Sequence, residues 1–456
     1  MLPPAVAAGH PDTVAAGLEI LQEGGSAADA AVAACLASCV AETVMTGLLG
    51  GAHAIFWDGR EAWNLDCFVD VPSGTGAPAV ELQVPFGEEL LHYAVGPGTC
   101  AVPGVPAGLD ALWRRWGRLP WPRLVEPALR LARTGVTMPP GHAACLAMLA
   151  PVFTMQPRGA EIHAPSGHVL AVGDVLAQPG LEHALELLAA EGHGTVYTGT
   201  IAESLLQVDG IPLTPADLER YAAQWREPVG TVYTGTRFLT RGGLAGVAES
   251  LARLRPLRGL RPAERVQALL RAFDGPAPEG HTTNTTNLVT ADADGRVCVL
   301  TSSLGLGTGD FLPELDLHLN SMLGEVDLVR EPLRGGERMP SMMAPSLAVT
   351  DEGPVLAIGS AGGTRLRTAL VGVAAGILDE GLEPAEAVAR PRFHRAGDVV
   401  NAEPGVDEAA LAALERSGLQ VRRWPAQHHY FGGVSVVAEA GAAGDPRRSG
   451  GAALLG

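Results

Sequence analysis

Lysine is absent from the 456 residues, so all 32 basic residues are arginine. This excludes a lysine Schiff base, a PLP aldimine and the phosphate-binding lysine of a Walker loop. Basic charge of any kind is scarce. Against 50 acidic residues it leaves a net charge of −18, and without a basic footprint neither nucleic acid nor an anionic membrane is an expected partner. Long apolar runs are lacking: the best candidate, Ala27–Val40, is too short to span a bilayer and carries Asp29. Met1–His10 has no basic start and no long apolar stretch, so no signal peptide is read and a cytoplasmic location is expected. The cysteines (Cys35, Cys39, Cys67, Cys100, Cys145, Cys298) form no CxxC, which points to buried thiols rather than a disulfide or zinc framework. Cys35 and Cys39 share a helix face and read as core packing. The GxSxG, HExxH and GxxxxGK[ST] patterns are missing. The histidines show no metal-ligand spacing. On a strand, His428 and His429 would point to opposite faces, so no metal site is expected.

What is present is a large apolar share, 47%, on a chain long enough for an extensive core and for two or three domains. The 58 glycines and 35 prolines make up about a fifth of the chain, against roughly 12% on average, which predicts many tight turns. Asp12 reads as the cap of a first helix that Gly24-Gly25 stops. Ser26 then caps a second, through Ala41, apolar on nearly every side and so buried. A hairpin is read from Ala52–Trp57 and Ala62–Leu65 around Asp58-Gly59, followed by helices over Pro106–Trp116 and Trp121–Arg133. Residues 175–225 look helical, with a cap at Thr214 before Pro215. Residues 254–283, rich in Arg, Pro and Gly around a helix Pro262–Phe273, are the best linker candidate. Beyond them, Thr285–Ala291 and Arg296–Thr301 flank a hairpin turn at Asp292–Gly295. Strands Ser346–Thr350 and Val355–Ile358, a helix Thr364–Leu378 and a strand pair Gln420–Arg423 with Gly432–Ala438 complete the pattern. This order suggests a layered α+β architecture rather than regular βαβ winding.

Three features could carry chemistry. The glycines at 305, 307 and 309 follow a strand without a helix after them, a weak phosphate motif. Gly359–Thr364 lies between a strand and a helix start, where backbone N–H groups can hold an anion or a developing oxyanion. With Asp379-Glu380 downstream, a dinucleotide site is the alternative, though the GxGxxG order is missing. A helix that simply needs small residues near a strand is an equal reading. The third feature is the run from Thr282 to Asn287. A threonine hydroxyl needs an adjacent base, and the base available to a threonine at a chain start is its own α-amine, of pKa near ~8. Asn284-Thr285-Thr286 also fits a glycosylation sequon, and a polar capped loop is a further reading.

Six stretches taken in order resemble the γ-glutamyltranspeptidase family of N-terminal-nucleophile hydrolases. They are residues 16–51 (AGLEILQEGGSAADAAVAACLASCVAETVMTGLLGG), 102–136 (VPGVPAGLDALWRRWGRLPWPRLVEPALRLARTGV), 284–303 (NTTNLVTADADGRVCVLTSS), 337–345 (ERMPSMMAP), 358–365 (IGSAGGTR) and 388–394 (VARPRFH). The resemblance implies a four-layer αββα sandwich and an inactive precursor that cuts itself between Asn284 and Thr285. A large-subunit region 1–284 and a small-subunit region 285–456 would form one composite catalytic domain. It implies Thr285 as nucleophile, Ser303 as the residue that orients it, and Gly362 and Gly363 as the oxyanion-stabilising pair. Ser341 and Met342 align with a paired-serine substrate loop. Glu325 falls where an acidic residue meets the substrate α-amine. Substrates would be γ-glutamyl compounds such as glutathione, with water or an amine as acceptor. No metal or organic cofactor is implied, and homo-oligomerisation is left open.

The departures lie on the acyl side. The family's clamp for the γ-glutamyl α-carboxylate is an arginine in a D-F-R-E-x-A-P stretch. Here the stretch runs from Asp66 to Pro72, and Phe68 stands in the arginine's place, which no aromatic ring replaces as a bidentate donor. The asparagine that follows the family's second threonine is missing, one serine of the pair survives, and residues 240–283 are short. An amide acylase of the same fold with a different acyl preference, or a catalytically silent homologue that binds, are therefore the alternatives.

Overall fold

The computed structural model describes all residues except 87–88, 275–283, 326–327 and 329–331, and omits the side chains of 85–91. Two antiparallel sheets face each other. The first has seven strands, ordered Gly451–Leu454, Ala5–Ala8, Thr286–Ala291, Val297–Ser303, Gly51–Trp57, Ala62–Cys67 and Gln224–Arg226. The second has six, ordered Gly441–Gly444, Gly433–Ala438, Gly353–Ala361, Ser346–Thr350, Thr236–Thr240 and Val229–Tyr233.

Period-two alternation divides the side chains of each central strand between two cores. Val289, Val299, Ile55 and Trp57 point between the sheets, where they meet Leu347, Ala357 and Val437. Their neighbours Leu288, Cys298, Leu300 and Phe56 point outward into a core shared with the helices Pro11–Gln22, Ala27–Ala41, Val105–Trp116 and Trp121–Thr134. On the far side, Leu356, Ile358, Val434 and Val436 pack against the helices Val247–Arg253, Pro262–Phe273 and Arg365–Leu378. The layers therefore run helix, sheet, sheet, helix, a four-layer αββα sandwich as the resemblance implies. Every residue of Ala27–Ala41 is buried, and Ser26 with Asp29 closes a capping box at its start. All six cysteines are buried and free.

Several expectations are corrected. His10 rather than Asp12 caps the first helix: its Nδ1 accepts from the Asp12 N–H. Residues 254–273 are not a linker, because Leu254, Leu257, Val266, Leu269 and Leu270 are buried in the second helical core; the remainder, 275–283, lies outside the described residues. Gln420–Arg423 does not pair with the strand Gly433–Ala438; it pairs in parallel with Val399–Ala402. His428 and His429 are not on a strand but enter a 3₁₀ turn, with ring centroids 4.0 Å apart. The chain start, read above only for what it lacks, is a strand held between Thr286–Ala291 and Gly451–Leu454.

Candidate functional site

The hairpin register carries Thr285 to the site. Thr286 pairs with Ser302 and Ser303 with Gly51, so Thr285 stands at the strand end beside Ser303. Gly50 and Gly51 allow this close approach, since a Cβ on Gly50 would meet the Ser303 carbonyl at 2.3 Å. On the facing sheet, the strand Gly353–Ala361 ends where Gly362 and Gly363 turn at φ +124° and +58° into the helix Arg365–Leu378. Asn287 joins the two sheets. Its amide donates to the Gly433 carbonyl at 3.0 Å and its Oδ1 accepts from the Ser435 N–H at 2.9 Å.

Each backbone carbonyl around the 284–285 bond is held. The Ser303 hydroxyl donates to the Asn284 carbonyl at 2.5 Å. The Gly305 N–H donates in turn to Ser303 Oγ at 3.1 Å, which leaves the serine's single proton directed at that carbonyl. Arg448 Nη1 donates to the Thr285 carbonyl at 3.0 Å. The Asn284 side chain is buried and its amide donates to Val44 O at 2.7 Å, so the sequon reading fails: the acceptor nitrogen is not at the surface.

Thr285 forms a wall between two cavities. The first collects Thr285, Ser303, Gly363, Ser341, Met342 and Phe68. Gly362 is adjacent but does not line it; a Cβ there would stand 2.8 Å from Gly432 Cα. Glu325 does not line it either. Its buried carboxylate lies beside Gly305, while Met322 and Leu328 on either side of it in sequence do reach the cavity. Behind the loop that carries Ser341, Arg241 Nη1 donates to Ser341 O at 2.9 Å, and burial pulls its guanidinium down to about 10. Phe68 is 1% exposed and stacks on His53 with centroids 5.5 Å apart. Burial, reinforced by Arg241 and Arg338, holds His53 well below its ordinary pKa, as the neutral ring.

The second cavity, behind Thr285, is lined by polar groups: Glu42, His142, Thr286, Asn287, Asp445 and Arg448. Glu42 accepts from Thr286 Oγ1 at 2.5 Å and from Thr13 Oγ1 at 2.7 Å. Burial pushes its carboxyl up to about 7, with Thr286, Thr13 and Arg448 opposing. Burial also drives His142 down to about 3. Sequence reasoning passed over Glu42, Asn287, Arg241 and Arg448. Glu42 had a signal, as the acidic residue at the C-terminal end of a helix that is apolar on nearly every side.

The other glycine loop is filled by its own protein. A Cβ on Gly307 would stand 1.9 Å from His318 Cε1, and the Gly309 N–H donates to His318 Nε2. The dinucleotide alternative also loses its parts. The strand before Gly362 belongs to an antiparallel sheet, Asp379 accepts from Tyr233 and Leu257, and Glu380 pairs with Arg265 and Arg390.

Residues 13–272 and 264–455 match the family model described as gamma-glutamyltranspeptidase. An acylase ACY 1 proenzyme of Pseudomonas sp. strain V22 is 26% identical over 95% of this chain and 89% of its own. The glutathione hydrolase proenzyme of Bacillus subtilis is 25% identical over 91% and 84%. A cephalosporin acylase from Bacillus halodurans superposes with a TM-score of 0.81, at 23% identity, over 99% of this chain and 96% of that one; at that identity the likeness is one of fold.

Proposed function

Because this chain belongs to the γ-glutamyltranspeptidase family, we propose that it is an autoprocessing threonine hydrolase and acyltransferase acting on amides. The observation that carries the reading is the Ser303 hydroxyl on the Asn284 carbonyl, with Thr285 opening onto a cavity shared with Gly363. In the precursor, Ser303 polarises that carbonyl while Thr285 Oγ attacks it. The 284–285 C–N bond breaks, the nitrogen takes up the Oγ proton as the free Thr285 amine, an ester to Asn284 forms on Oγ, and water hydrolyses that ester to the Asn284 carboxylate and the free Thr285 hydroxyl. That amine then takes the Oγ proton as the hydroxyl attacks a substrate amide. The N–H groups of the Gly362-Gly363 turn receive the oxyanion, the amine product leaves with the proton, and water or a second amine takes the acyl group from Thr285.

The relatives' names point to two acyl classes. Glutathione hydrolases make γ-glutamyl compounds such as glutathione the first class to assay. Phe68, lining the cavity where the family's clamp arginine is expected, favours the second reading, an amide acylase with another acyl preference. The chemistry is tested on purified protein by denaturing gel and intact-mass spectrometry. Two fragments, 1–284 and 285–456, are expected, with Thr285→Ala remaining whole. A wild-type chain that stays uncut through prolonged incubation would refute the proposal and favour a silent binding protein.

A further inference from the structure

The walls of the Thr285 cavity address the acyl group directly. Besides the hydroxyls of Thr285, Ser303 and Ser341 and the backbone of Gly363, the described lining is Phe68, Met322, Leu328, Met342, Met343 and Leu366. All but Leu366 belong to a separate apolar cluster, with Val69, Val71, Ala101 and Met339, that sits under the site apart from the main cores. Two arginines that contact the cavity's loops are committed elsewhere. Arg338 is held by Asp70 at 2.7 Å, by Asp66 at 3.3 Å and by the Phe68 carbonyl at 2.7 Å. Arg241 donates to the loop carbonyls of Ser341 and Met343. Among the described residues, no charged side chain lines the cavity.

A carboxylate or ammonium brought into such a cavity loses water and finds no opposite charge among the described lining residues, and a buried unpaired charge is strongly disfavoured. An apolar chain gains from the same transfer. Methionines are unbranched and polarizable, so Met322, Met342 and Met343 can adapt to acyl chains of different outline. We infer that the acyl group this enzyme accepts is uncharged and apolar, an aliphatic or arylalkyl chain seated against Phe68 and the methionines, with the amide carbon presented to Thr285. The inference rests on the threonine-nucleophile reading and specifies its acyl side. In each turnover the substrate C–N bond breaks, an ester C–O bond to Thr285 forms, the amine leaves with one proton, and water releases the acyl group as a carboxylic acid.

The test uses protein already shown by gel to be in two fragments, and four p-nitroanilides: hexanoyl, phenylacetyl, glutaryl and γ-glutamyl. The expected result is a kcat/KM for the hexanoyl or phenylacetyl anilide at least ~100-fold above both charged ones, the scale at which an unpaired buried charge discriminates. Met342→Ser should lower the apolar rates about 10-fold, as loss of apolar contact in a pocket does. Phe68→Arg, if it folds, should shift the ratio toward the glutaryl anilide. Charged anilides equal to or better than the apolar ones overturn the inference, as does a processed enzyme inert to all four, and both outcomes leave the self-cleavage reading standing. An uncut wild-type chain removes that reading and this inference together.

Discussion

Replacing Ser303 by alanine tests the precursor geometry at one atom. Its hydroxyl donates to the Asn284 carbonyl at 2.5 Å and accepts from the Gly305 N–H at 3.1 Å, in a site where Ser303 is 3% exposed. In the proposed cleavage, charge develops on the carbonyl oxygen as Thr285 attacks, and the bond strengthens. Removing one such preorganised donor costs about 3–4 kcal/mol, a slowing of ~100- to 1000-fold. The Gly305 N–H also loses its acceptor, for a stability cost of about 1–3 kcal/mol. The two effects are read separately. A pulse of synthesis followed by timed denaturing gels gives the cleavage rate, and thermal unfolding gives the stability. Ser303→Thr keeps the hydroxyl and should cleave within about tenfold of wild type, since a donor remains. Ser38→Ala also removes a buried hydroxyl, one bonded to the Cys35 carbonyl, and should leave the cleavage rate unchanged. Wild-type cleavage by Ser303→Ala would refute the assignment of this serine to the scissile carbonyl. So would slowing matched by Ser38→Ala, because the effect would then follow general stability.

Glu42 should make stability depend on pH. Its folded carboxyl is raised by burial from an ordinary 4.5 to about 7, so the folded chain holds a proton that the unfolded chain releases. Stability is then fullest below pH ~4.5, falls as pH climbs toward ~7, and is flat beyond, a total of about 3 kcal/mol at ~1.4 kcal/mol per unit. Glu42→Gln should flatten unfolding curves compared between pH 5 and 7; an unchanged slope would count against it. Two glycines should respond oppositely to alanine. Gly362→Ala forces a side chain onto φ +124° and a Cβ to 2.8 Å from Gly432 Cα, costing at least ~1 kcal/mol and most acyl transfer. Gly372→Ala, mid-helix with open space, should stabilise by about 0.5–1 kcal/mol in denaturant titration, with activity intact.

Much was legible where the cause is local. The Ser26 cap, the helix Pro262–Phe273, the Asp292–Gly295 turn and the two strands around it follow from capping groups, periodicity and turn residues within a few positions of one another. Thr285 and the Gly362-Gly363 turn were legible as a pair only through six ordered motifs, because nothing in a sequence states a distance between residues so far apart. The linker reading of 254–283 fails over 254–273 because arginines and prolines there border a helix with a buried apolar stripe. The sequence alone therefore determined the chemistry on offer: no lysine, a threonine ahead of a buried hairpin, a glycine turn, and Phe68 where a clamp would be charged. Tertiary structure decided what these groups face. It seated Ser303 on the Asn284 carbonyl, set Glu42 and Arg448 behind Thr285, and turned Arg241 and Arg338 onto backbone carbonyls and aspartates. Those outcomes depend on the packing of two sheets and on which charges lose their water, and neither is a property of any one stretch of chain.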